Sequence, residues 1–127
     1  MKKISFLENP SDYVNDFAFV AHLSKTINNK NNLLEEIKIK LKTPDYFGFN
    51  WDALNDCLND FHWIKEKKII FVHDRIPNLD DSEMNIYLGI LIEALKSWGE
   101  EEEHYFELIF PKEDEKKIKH YLQNLDS

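Results

Sequence analysis

The sequence predicts an α/β domain: a small three-stranded parallel sheet packed with helices, with an extra helix after the last strand. Two observations carry this. Short, nearly unbroken apolar runs recur at Phe17–Ala21, Ile69–Val72 and Tyr105–Phe110, the pattern of strands covered on both faces. Stretches of helical periodicity lie between them, and alternation of strand and helix implies parallel pairing. With 127 residues, 43% of them hydrophobic and 13% aromatic, the chain has the size and the large side chains for one core. A single domain over 1–127 is expected, with its core at about 17–110, an N-terminal extension at 1–15 and a C-terminal helical extension at 111–127.

In chain order, Ile4–Leu7 is a strand candidate within the N-terminal extension, and Asn9–Asp12 carries the turn signal Asn-Pro-Ser-Asp. Helices are expected at about Asn32–Lys42 and Asn50–Phe61 between the first and second core strands, and at Ser82–Trp98 between the second and third. The last of these places Met84, Tyr87, Leu88, Leu91, Ala94, Leu95 and Trp98 at i, i+3, i+4 spacing. Asp80 with Glu83 offers a capping box in front of it, and Gly99 a stop behind. After Pro111, Ile118, Tyr121, Leu122 and Leu125 predict an amphipathic helix. The Glu100–Glu103 run reads as solvated loop.

Composition narrows the function. The chain has 24 acidic and 16 basic residues, a net charge of −8, which opposes wrapping around nucleic-acid phosphates and favours a basic partner. One cysteine, Cys57, allows no internal disulfide and no cysteine-based metal motif. Its position mid-helix beside Leu58 reads as core packing. No signal peptide or membrane-spanning run is present, so a cytoplasmic protein is expected. Three glycines provide no phosphate-cradling loop, and five histidines lie scattered with no i, i+3 or i, i+4 pair. Neither cofactor nor metal is expected. A hydrolase using His73, Asp74 or Cys57 is the weakest of the readings, because none has an evident partner.

The helix beginning near Asn50 has two separable faces. Trp51, Leu54, Leu58 and Phe61 fall on one side, while Asp52, Asn55, Asp56, Asn59 and Asp60 fall on the other, with no lysine or arginine among them. Asp52 is explained as a first-turn carboxylate after an Asn50 cap. Asp56 lies beyond that turn and sits four residues from a like charge, so nothing local favours it. A solvated helix face and a site for a cationic partner both fit this strip. In front of it runs Pro44-Asp-Tyr-Phe-Gly-Phe-Asn50, too short to turn every ring inward, and Tyr46 is the ring expected to be exposed. Aromatics beside uncompensated carboxylates are common makings of an interface.

The run Leu41-Lys-Thr-Pro-Asp-Tyr-Phe-Gly-Phe-Asn-Trp-Asp-Ala-Leu-Asn-Asp-Cys-Leu58 resembles the signature of the barstar family of ribonuclease inhibitors, P-x-Y-[YF]-G-x-N-x-D-A-L-x-D-C-L. More loosely, the likeness extends from about Phe17 to Phe110. It implies a non-enzymatic cytoplasmic inhibitor or immunity protein that binds a basic secreted microbial ribonuclease and covers its active site. By the same resemblance, Asp56 stands where an RNA phosphate would lie, with Asp52 as its companion one turn earlier. Tyr46 matches a ring that packs on the nuclease, Gly48 and Asn50 match loop positions at the interface edge, and Glu93 matches an outlying acidic contact. Asn55 departs from the pattern, standing where the family commonly has tryptophan. The alternative keeps the fold as an interaction module for a different basic protein or toxin domain. No direct contact with nucleic acid or membrane is expected, and the free chain is expected to be a monomer.

Overall fold

A computed structural model describes residues 3–45, 47–99 and 102–125. Strands β1 (Ile4–Leu7), β2 (Ala18–Leu23), β3 (Lys68–His73) and β4 (Tyr105–Pro111) form one sheet in the order β1-β4-β3-β2, with every neighbouring pair parallel. The sheet therefore has four strands, not the three expected. Ile4–Leu7 joins it as an edge strand, with Ile4 opposite Leu108 and Phe6 opposite Phe110. Only four residues long and half-buried, β1 carries a weak signal of its own, and its pairing partner lies near the other end of the sequence.

Four helices occur among the described residues: α1 (Lys30–Leu41), α2 (Trp51–Leu58), α3 (Asp81–Ser97) and α4 (Glu115–Leu125). They cover one face of the sheet. Leu33, Leu34, Ile37, Leu54, Leu58, Leu88, Leu91 and Ile118 pack there with Ile69, Phe71, Phe106, Leu108 and Phe110 in one buried cluster. β3 is buried on both faces, as its unbroken apolar run implies: Ile70 and Val72 point away from the helices and form a second cluster with Ile109. The connection from β1 to β2 helps cover this second face, packing Tyr13 there beside Leu7, Ala18 and Val20. His22 anchors it, its Nδ1 lying 2.8 Å from Asp74 Oδ1 and its Nε2 2.9 Å from the carbonyl of Tyr13.

The expected core helices are present with shifted ends. Asp80 caps α3 by accepting the Glu83 amide at 2.8 Å, but α3 ends at Ser97 with Trp98 as its cap, and Gly99 does not take a left-handed conformation. In α4, Ile118 and Tyr121 are buried, and the Tyr121 hydroxyl donates to Asp81 Oδ1 at 2.6 Å, tying the helix to the start of α3.

His73 is fully buried at the end of β3. Its Nδ1–H donates to the carbonyl of Ile109 at 3.2 Å, its Nε2 accepts the Tyr87 hydroxyl at 2.6 Å, and its ring stacks on Phe110 with centroids 4.3 Å apart. Burial pushes its pKa down to about 4 from the ordinary 6.5. The unfolded chain therefore binds a proton that the native state refuses. The stability this provides is complete above pH 6.5 and lost as the pH falls toward 4, a change of about 3 kcal/mol by linkage. Urea midpoints should fall over that window, with the ring still neutral by NMR at pH 5. A His73 titration midpoint near 6.5 would contradict this account.

Candidate partner-binding face

α2 starts where Asn50 Oδ1 accepts the Ala53 amide at 2.8 Å. Gly48 leaves room for that cap, since a Cβ there would stand 3.2 Å from Asn50 Nδ2. The inner side of the helix is Leu54, Cys57 and Leu58, all buried, with Trp51 packed against the core beside Tyr87. Burial, reinforced by Asp60 and then Asp56, pushes the Cys57 thiol up to about 11, leaving it protonated at neutral pH.

α2 ends three residues sooner than expected. Asn59 caps it, its Nδ2 donating to the Asn55 carbonyl at 2.7 Å, and Phe61 follows in the left-handed region with φ 51°. Phe61 reaches the core through this reversal and not as a further helical turn. The predicted acidic strip divides as a result. Asn59 turns toward α3, its Oδ1 lying 2.6 Å from Ser97 Oγ, and Asp60 turns to His62, with Oδ2 and Nδ1 2.6 Å apart. All five residues of the strip are exposed, as expected, but Asp52 and Asp56 are the carboxylates that no lysine, arginine or histidine among the described residues pairs with.

Of the loop rings, Phe47 is buried and Phe49 is 51% exposed. Tyr46 lies outside the described residues. Phe49 is thus an exposed ring that sequence reasoning passed over; it sits edge-on to Phe47, with Lys38 Nζ 5.3 Å from its centroid. Glu93 lies on the exposed side of α3, its carboxylate 3.9 Å from Lys96 Nζ, so this acidic position has a cation beside it. Glu93 and Asn55 line one shallow cavity at the α2–α3 seam.

The hydrolase candidates are engaged elsewhere. Both His73 nitrogens are bonded within the core, the Asp74 carboxylate holds His22, and the Cys57 thiol is buried in α2. Among the described residues, no group of three or more His, Cys, Asp or Glu is placed to hold a metal ion, and no helix is long and apolar enough to cross a membrane.

A parallel sheet with helices on one face, and one short helix presenting to solvent two carboxylates that no described cation pairs with, defines a small α/β domain with an acidic helical face. The model of the family described as Barstar (barnase inhibitor) matches residues 17–110, and the chain belongs to that family. β1 and α4 lie outside the matched residues. A comparison with curated proteins gives no match. The family is one of inhibitors rather than enzymes, and its named target, barnase, is a ribonuclease.

Proposed function

We propose that this chain is an inhibitor, acting as an immunity protein, of a basic microbial ribonuclease, and that it covers the nuclease active site with the exposed side of α2. The observation that carries the reading is the pair Asp52 and Asp56, one helical turn apart, exposed and without a cationic partner among the described residues. Two like charges at this spacing cost a helix a few tenths of a kcal/mol. An active site lined with guanidinium and imidazolium groups reverses that cost, because each carboxylate then accepts charge-assisted hydrogen bonds where an RNA phosphate would. Asn50 and Gly48 shape the helix start, Asn55 and Asn59 lie along its α3 side, and Glu93 stands as an outlying acidic contact. Tyr46, which precedes Phe47 in the sequence, is proposed as the aromatic anchor of the loop.

The test is titration of the purified chain into RNA cleavage by barnase and several other small basic secreted ribonucleases. Inhibition at one chain per enzyme is expected, with association slowing as salt rises, because opposite net charges steer the encounter and are screened by ions. Failure to inhibit any of them overturns the reading.

A further inference from the structure

The two edges of the sheet are finished differently. β1 is four residues long, and Lys119 lies over its Phe6 with Nζ 5.7 Å from the ring centroid; shortness and a lysine are devices that keep an edge from pairing. β2 has neither. It runs six residues, Ala18-Phe-Val-Ala-His-Leu23, with no lysine, arginine, carboxylate or proline, and the His22 ring is held by Asp74 and the Tyr13 carbonyl. Because the Leu23 carbonyl accepts the Asp74 amide, the alternation of the ladder turns the backbone groups of Phe19, Ala21 and Leu23 toward β3 and those of Ala18, Val20 and His22 outward. At the two ends the outward amides are already used: Ala18 donates to the Asn15 carbonyl at 3.3 Å and Ser24 to Glu36 Oε1 at 2.7 Å. Val20 and His22 between them keep both N–H and C=O without a partner among the described residues. Phe17, directly before the strand, is 93% exposed, in a turn fixed by its amide donating to Asn15 Oδ1 at 2.9 Å.

We propose that β2 pairs antiparallel with β2 of a second copy of this chain, about a two-fold axis at Ala21, forming a weak dimer. The inference does not depend on the ribonuclease reading, and no residue of α2 lies on this edge. Two observations select a second copy as the occupant. First, Val20 opposite His22 of the second copy exchanges two N–H···O=C bonds, and symmetry repeats them. The two residues left unsatisfied in each copy thus satisfy those of the other, and the window closes where Asn15 and Glu36 already hold the outward amides. Second, the strand is flanked by opposite charges, Asp16 before it and Lys25 after it, both exposed and neither ion-paired among the described residues. Such a strand is complementary to its own reverse. In this register Phe17 comes opposite Lys25 of the second copy, whose stem and ammonium cover the exposed ring, with Asp16 one position away. A single strand edge is smaller than the about 800 Å² that each partner gives to a standard interface, so association is concentration-dependent, and the monomer expected from the sequence is the dilute form.

Sedimentation equilibrium of the full chain at rising concentration tests this, with amide exchange by NMR as a second readout. A monomer–dimer equilibrium is expected, with exchange at the Val20 and His22 amides slowing as the dimer fills. Phe17→Lys, which sets like charges opposite each other on an exposed position, should weaken association at least about tenfold without lowering the thermal midpoint. Asp16→Lys and Lys25→Asp should each weaken it several-fold, and the double variant should restore it, because the reversed charges again face their opposites. Asp16→Lys also lowers the net negative charge, so through any other surface it would tighten association. A wild-type chain that stays monomeric up to roughly 1 mM overturns the proposal. So does a dimer indifferent to Phe17→Lys and Asp16→Lys, which would be built on a different surface, and so does a double variant no better than its parents, which would rule out the antiparallel pairing.

Discussion

Asp56→Ala is expected to weaken ribonuclease inhibition at least a hundredfold, about 2.7 kcal/mol, while leaving the fold as stable as before or slightly more so. The two effects have opposite signs for one reason. In the free protein, Asp56 is exposed, lies one turn from Asp52 and has no cationic partner among the described residues. Removing it relieves like-charge repulsion in α2, worth a few tenths of a kcal/mol, and alanine is the better helix former. In the proposed complex the same carboxylate would face desolvated cations, and losing it would strand them without a partner. Inhibition titrations paired with urea midpoints separate these outcomes. A variant that inhibits fully would remove Asp56 from the interface, and one that unfolds more easily would mean the carboxylate stabilises the free helix.

Phe61→Ala is expected to destabilise the protein by about 3–5 kcal/mol, a large share of the stability of an ordinary small domain. Phe61 is fully buried, stacked on Trp98 with centroids 5.8 Å apart and packed on Phe106 at 5.4 Å and Trp63 at 6.1 Å. Its backbone sits at φ 51°, where a Cβ costs roughly 1–2 kcal/mol. Alanine keeps that strain and loses the ring. Phe61→Gly also loses the ring but is free of the strain, so it should be no less stable than Phe61→Ala, the reverse of the usual order in a helix. Denaturant midpoints of the two variants decide this, and an alanine variant clearly more stable than the glycine one would contradict the strain argument.

Phe61 also marks where the sequence could and could not be read. Its spacing from Leu58 and Leu54 fits a continued helix, and periodicity alone cannot tell a further turn from a reversal that returns a ring to the core. α3 was legible because its signals are local: a cap at Asp80 and seven core positions at helical spacing. The exposure of Asp52 and Asp56 followed from the same local geometry. The turning of Asn59 toward Ser97, 38 positions away, did not, since that bond depends on how α2 and α3 pack. The shallow cavity at the α2–α3 seam was hidden for the same reason, as its lining comes from three helices. β1 was seen as a strand candidate, but its place in the sheet depends on pairing with β4, and a four-residue alternation does not encode a partner.

That pairing bears on how the chain acquires its structure. Ile4 and Leu108 are neighbours in the sheet but 104 positions apart in the chain, so β1 emerges from the ribosome long before the strand it needs. Closing so long a loop is entropically costly and contributes little to early folding. β1 should therefore dock last, laying Phe6 against Phe110, whose ring centroids lie 6.1 Å apart in the finished sheet. Until it does, β4 is an open edge with unpaired backbone groups, the kind of surface on which nascent chains associate with one another. The chain carries the cover for its most vulnerable strand at the opposite end of its own sequence, and the time that cover takes to arrive sets how long the edge stays bare.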